Sequence, residues 1–287
     1  MRNNIKKLDK YELNELNNLF VEANYKVADT YKEHSKDIEK IASMCIESIN
    51  KNGRVFYIGA GTSGRIGMLD ALDFYPTYGE KNWFKYVIAG GDDAVLDSLE
   101  MNEDDFKLGE SNAIENKINK NDLVIGLSAS GNTKYVKGFL AKSKEKGSKT
   151  VLISNNKNGA IEEFADFTLV LELGNEVISG STKLKAATMQ KLILNSISTM
   201  TAIKTGKVYD EYMIDVKPIN EKLVKRSINM IVDIANVDFD YAKEKYNEAR
   251  QNAKTAIVMI LKNIDYKQAV DLLNKNNSNL RKVIEHE

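Results

Sequence analysis

The chain has 287 residues, with 41 basic and 41 acidic side chains that cancel and a single cysteine, Cys45, which excludes an intramolecular disulfide. It contains no Lys/Arg block or aromatic-interleaved basic stripe, which argues against a nucleic-acid partner, and no run approaches the ~18 apolar residues of a membrane span. The charged amino terminus lacks the apolar core of a secretory signal, so the expectation is a cytoplasmic protein without nucleic-acid or membrane partners.

Residues 10–50 are polar, with Ile38, Ile41, Ala42, Cys45, Ile46 and Ile49 at helical spacing, and predict one or two amphipathic helices ending at Lys51-Asn52-Gly53. Short apolar strands are predicted near 54–58, 86–89, 123–127, 150–154 and 167–171, separated by helices near 64–72, 93–102, 134–146 and 159–165. That alternation predicts an α/β fold, a doubly wound parallel five-stranded sheet covered on both faces. A long helix over roughly 183–204 follows, with Gly206 as its carboxy-terminal cap. Beyond Pro218 the pattern is charged and helical, near 220–235, 238–248, 252–262 and 266–274, with no strand signal. The expected organisation is N-terminal helices over 1–50 packing on a sheet domain over 51–206, then a small helical domain over 207–287.

Two segments concentrate the chemistry, Gly59-Ala60-Gly61-Thr62-Ser63-Gly64-Arg65 and Ser128-Ala129-Ser130-Gly131-Asn132-Thr133. Each follows a predicted strand and precedes a predicted helix. The free amides of a first helical turn attract an anion, and Ser and Thr hydroxyls add donors without charge. Gly59-x-Gly61-x-x-Gly64 also satisfies the dinucleotide fingerprint, but the next strand ends at Ala89-Gly90-Gly91-Asp92, nearer thirty residues on than the ~20 that a ribose-binding acid requires. A P-loop would place Lys where Arg65 stands. A phosphomonoester fits the paired hydroxyl-rich turns better than a pyrophosphate does.

These loops resemble the phosphate-contacting loops of sugar isomerase (SIS) domains. The run Tyr57 to Ala71, then Pro76-Thr77-Tyr78-Gly79, Ile88-Ala89-Gly90-Gly91, Glu100 with Glu103-Asp104, Gly180-Ser181-Thr182-Lys183-Leu184-Lys185-Ala186, Gly206-Lys207-Val208-Tyr209 and Met213 to Lys217 resemble N-acetylmuramic acid 6-phosphate etherases. The resemblance spans roughly residues 35–287 in order. It implies a homodimeric enzyme of cell-wall sugar recycling that splits the D-lactyl ether of N-acetylmuramic acid 6-phosphate into N-acetylglucosamine 6-phosphate and D-lactate, without a metal or redox cofactor.

It further implies phosphate contacts from Thr62, Ser63, Ser128, Ser130 and Thr133, with amide help from Gly64 and Gly131. Thr182 and Lys185 would lie near the pocket, and Arg65 would be either a phosphate contact or a structural ion-pair former. Glu103 matches the position of the base that removes the C2 proton, and its spacing from Glu100 would set two carboxylates on one helical face. Asp73 falls on the position of the catalytic acid. There the family pattern Asp-Ala-Ser-Glu-Cys-Pro-Pro-Thr becomes Asp70-Ala71-Leu72-Asp73-Phe74-Tyr75-Pro76-Thr77, so the carboxylate sits on a stem one methylene shorter. Phe74 and Tyr75 are expected to reshape the pocket. Two other readings stay open from the sequence: a lyase or isomerase of another 6-phosphosugar, and a non-catalytic phosphosugar sensor.

Overall fold

The computed structural model describes residues 7–97, 100–218 and 220–285, the Glu100 side chain excepted. Two compact units result, one formed by the chain up to Asp70 together with Lys85–Ile197, the other by Ala71–Phe84 together with Ser198–Glu287.

The amino-terminal periodicity produces two helices, α1 (Leu13–Glu33) and α2 (Ser35–Asn50). The sheet and its crossovers then run in order as β1 (Val55–Gly59), α3 (Gly61–Tyr78), β2 (Phe84–Ile88), α4 (Asp93–Leu96), α5 (Phe106–Glu115), β3 (Leu123–Ser128), α6 (Lys134–Glu145), β4 (Lys149–Ser154), β5 (Phe167–Val170) and α7 (Lys185–Lys204). The five strands form one parallel sheet in the order β2-β1-β3-β4-β5. Every residue of β1 and β3 is buried, as a strand covered on both faces requires. α2 packs its stripe of Ile38, Ile41, Ala42, Cys45 and Ile49 on β1 and β3. Phe56, Ile58, Val124 and Leu152 pack with Tyr135, Val136, Phe139 and Leu140 of α6.

Three departures from the sequence reading have local causes. The helix expected over 93–102 is broken after Leu96, and a 3-10 turn at Glu100–Asp104 precedes α5, which the periodicity did not reveal. Asp105 nucleates α5 by accepting from the Leu108 amide at 2.9 Å. The helix expected over 159–165 shrinks to a 3-10 turn at Glu162–Phe164. Conversely α3 runs on to Tyr78 through Pro76, whose missing N–H leaves the Leu72 carbonyl without its helical donor. Thr77 Oγ1 satisfies the next carbonyl, that of Asp73, at 2.7 Å.

In the second unit, a ribbon of β6 (Val208–Tyr209) and β7 (Tyr212–Met213) precedes α8 (Glu221–Ala235), α9 (Phe239–Glu248), α10 (Ala253–Lys262), α11 (Tyr266–Lys275) and α12 (Leu280–Glu285). The ribbon and α12 were not apparent from periodicity, being two and six residues long. α10 is buried from Ala253 to Met259 and forms the core with Ile228, Ile231, Tyr246, Leu273 and Leu280. Side chains of Asn220, Asp238, Asn252 and Asp265 cap four of these helices.

A buried ionic cluster secures the segment 71–84. Lys207, 8% exposed, pairs with Glu80 and, at 3.2 Å, with Asp215, and it stands 4.7 Å from the Trp83 ring. Lys254, 2% exposed, reaches the same Asp215 carboxylate at 2.7 Å and donates to the Ser278 carbonyl at 2.8 Å. Burial holds the Lys254 ammonium below the ordinary lysine range, with Asp215 opposing the shift. Removing Asp215 takes from the buried Lys254 the carboxylate it pairs with and leaves Lys207 with Glu80, so Asp215→Ala is expected to lower stability by about 3–5 kcal/mol in urea unfolding. Lys51→Ala, which breaks an exposed pair with Glu47, is expected to change it by less than about 1 kcal/mol.

Candidate active site

The strand order turns back on itself between β1 and β3, and in such a sheet a crevice opens beyond the carboxyl ends of those two strands. They pair in parallel with Gly59 opposite Leu127, so the turns after them emerge side by side at one edge. In the first turn, a Cβ on Gly59 would lie 2.6 Å from the Gly64 nitrogen, and one on Gly64 would lie 2.5 Å from Ile88 Cγ1. Only glycine lets the start of α3 lie this close to β1 and β2. The first intrahelical bond is Gly64 N–H to Ala60 O at 3.2 Å, which leaves the amides of Gly61, Thr62 and Ser63 as first-turn donors.

The second turn is organised by Ser128, 2% exposed, and Thr133, 8% exposed. Their hydroxyl oxygens are 2.8 Å apart, and the Gly131 amide donates to Ser128 Oγ at 3.1 Å. Ser130 Oγ lies 3.4 Å from Ser128 Oγ and accepts from the Asn132 amide at 3.2 Å. Thr133 Oγ1 donates to Glu103 Oε1 at 3.3 Å. A cleft of about 490 Å³ is lined by Thr62, Ser63, Arg65, Glu103, Ser128, Ser130, Thr133 and Thr182, all in the first unit. Hydroxyls and helix amides on one side and a solvent-exposed carboxylate on the other equip it to anchor an anion and move a proton.

The structure thus brings together Thr62, Ser63, Ser128, Ser130, Thr133, Thr182 and Glu103. Other expected residues are engaged elsewhere. The Gly64 amide is spent inside α3, and that of Gly131 on Ser128, so their contribution is close packing and turn geometry in place of a free donor. Lys185 does not line the cleft: it is 8% exposed and its ammonium donates to the carbonyls of Leu173 and Asn175 at 2.6 and 2.8 Å. Glu176 completes that clasp by accepting from the Lys185 and Ala186 amides at the start of α7. Arg65 lines the cleft. Its guanidinium donates to the carbonyls of Ala94, Val95 and Asp97 at 2.8–3.1 Å and so secures the turn on the way to Glu103. The paired face expected of Glu100 and Glu103 involves a side chain outside the described residues.

Asp73 belongs to the second unit, exposed on α3. Of the two aromatics expected to reshape the pocket, Tyr75 is exposed, whereas Phe74 is 2% exposed and packs at tilted angles against Tyr78, Trp83 and Phe84 with centroids 4.8, 6.1 and 4.6 Å away. Its apolar area goes into packing.

A buried group that sequence reasoning missed anchors α3. Asp70 accepts from Asn195 Nδ2 of α7 at 2.6 Å, while burial and then the Asp70 carboxylate push the Tyr57 phenol of β1 well above its ordinary range. Spacing within a single element gives no sign of this three-element contact. Among the described residues, no group of three His, Cys, Asp or Glu side chains could hold a metal ion, and no helix is long and apolar enough to cross a membrane.

Comparison with known proteins agrees with this arrangement. Residues 37–144 match the glucokinase regulatory protein N-terminal SIS domain and residues 109–194 match the SIS domain. The phosphoheptose isomerase from Francisella tularensis superposes with a TM-score of 0.54 at 15% identity, over 67% of this chain and 98% of that one. Phosphoheptose isomerase GmhA from Neisseria gonorrhoeae does so with a TM-score of 0.50 at 16% identity, over 66% and 97%. At those identities the likeness concerns the fold. N-acetylmuramic acid 6-phosphate etherase from Francisella philomiragia subsp. philomiragia is 43% identical over 272 residues, covering 94% of this chain and 92% of that protein. The etherase from Lactococcus lactis subsp. lactis is 48% identical over 233 residues, 81% and 78% of the two chains. With hydroxyl-rich turns flanking a carboxylate at the sheet's switch point and such identity over nearly its whole length, the chain belongs to the N-acetylmuramic acid 6-phosphate etherase family.

Proposed function

We propose that this chain is a cytoplasmic, homodimeric etherase that converts N-acetylmuramic acid 6-phosphate and water into N-acetylglucosamine 6-phosphate and D-lactate. The observation that supports this reading above all is the adjacency of Glu103 to the Ser128–Thr133 turn within one cleft. The alternative enzyme for a different phosphosugar rested on Phe74 and Tyr75 excluding the lactyl arm; Phe74 is buried, so that reading now rests on Tyr75, 38% exposed.

An unactivated ether leaves poorly. In the open-chain aldehyde, however, the carbonyl acidifies the C2 proton and elimination across C2–C3 becomes feasible. The phosphate is held by the hydroxyls of Ser63, Ser128, Ser130 and Thr133 and by the amides of Thr62 and Ser63, which converts binding energy into alignment of C2 against Glu103. Glu103 takes the C2 proton, the C3–O bond breaks, and Asp73 protonates the departing lactate oxygen. The Asp73 carboxylate then takes a proton from water as its oxygen adds at C3, and Glu103 returns its proton to C2.

Asp73 enters from the partner subunit. Leu72 and Tyr75, on either side of it, are 54% and 38% exposed, an apolar surround for a carboxylate that association of two copies would cover.

Glu103→Gln and Asp73→Asn are each expected to cut D-lactate release from N-acetylmuramic acid 6-phosphate by about a hundredfold or more. Undiminished release by either variant would remove that residue from the mechanism. Ser128→Ala is expected to raise KM for the sugar phosphate by about tenfold or more, the loss of one hydrogen bond to a charged group. Mixing the two inactive variants is expected to restore about a quarter of wild-type activity, because half of randomly assorted dimers carry one intact composite site. No recovery would place both carboxylates in the same subunit.

A further inference from the structure

Two of the hydroxyls assigned to phosphate, those of Ser128 and Thr133, are already spent. If Thr133 donates to Glu103, as the 3.3 Å contact has it, its oxygen receives the Ser128 proton across 2.8 Å, and Ser128 receives the Gly131 amide at 3.1 Å. A Ser or Thr hydroxyl has one proton. Gly131 N–H, Ser128 O–H and Thr133 O–H therefore form a directed chain that ends on the Glu103 carboxylate, and neither hydroxyl can serve a phosphate oxygen without leaving it.

We propose that Thr133 is a coupling residue through which an anchored phosphate monoester releases and activates Glu103 as a base. When a phosphate oxygen captures the Thr133 proton, Glu103 loses a hydrogen bond that favours its charged form and gains a neighbouring anion that disfavours it. Both changes raise its proton affinity toward the range in which a general base works best. Among the described residues, the other charged groups beside Glu103 are Arg65, bound to carbonyls, Asp104 and Asp105 on its own segment, and Lys134 of α6, 3.4 Å from Asp104. None is inserted between Thr133 and Glu103. The consequence is substrate discrimination: a sugar without the phosphate meets a base still held by the loop. This inference rests on the phosphate seat described above.

The test uses the full-length protein with carboxyl-labelled glutamate, the Glu103 signal being identified by its loss in Glu103→Gln. Its titration midpoint is followed by NMR with and without saturating inorganic phosphate, whose binding is measured in parallel by calorimetry. The midpoint is expected to rise by about one pH unit when phosphate binds. Thr133→Val is expected to show a smaller phosphate response, while Thr133→Ser behaves as the wild type. Phosphate that binds but moves the midpoint by less than about 0.2 unit would overturn the coupling and leave the seat standing. Absence of phosphate binding would overturn both. The wild-type comparison decides the matter even where the valine variant does not fold.

Discussion

Everything at the cleft depends on β1 and β3 being neighbours in parallel. Parallel pairing puts both carboxyl ends at the same edge of the sheet, so two turns separated by about seventy residues of chain arrive side by side. The glycines then make the contact close enough to matter. Had Gly59 or Gly64 carried a Cβ, the start of α3 would stand off from the sheet and its amides would no longer share a cleft with Ser128.

The rest of the first unit reads as support for that edge. Asp70 ties α3 to α7 through Asn195, and burial, with the Asp70 carboxylate adding to it, raises the Tyr57 phenol, which therefore stays neutral. Arg65 trades the charge that a phosphate could use for three backbone carbonyls of the turn that leads to Glu103. Lys185 and Glu176 do the same for the loop that presents Thr182. Charged groups at this site mostly hold loops in place, and neutral hydroxyls and amides are left to meet the anion. In the proposed coupling, hydroxyls are also what permits a single proton to be shared between phosphate and base, which a lysine with three donors would not impose.

In the second unit, an aromatic core and a buried ionic cluster grip the segment that carries Asp73. Phe74 lies among Tyr78, Trp83 and Phe84, and Glu80 lies under Lys207. In the acid role proposed for it, the short Asp73 side chain tolerates little displacement, since a shift of ~1 Å costs on the order of a hundredfold in rate. A rigid mounting is what such a carboxylate requires. The bulk at Phe74 thus packs beneath the backbone that carries Asp73.

The sequence by itself determined the alternation of strands and helices, the two hydroxyl-rich glycine turns and the family. Strand and helix periodicities are properties of neighbouring residues, and the turns are contiguous motifs that need no partner to be read. Tertiary structure alone decided that Glu103 touches Thr133, thirty residues away, that Arg65 and Lys185 face carbonyls, and that Phe74 is core. It also decided that α3 passes through Pro76, where packing outweighs a local signal to stop. Those outcomes are set by which crossovers bring distant segments into contact, and a side chain's partner is chosen there by proximity and burial, which spacing along the chain does not encode.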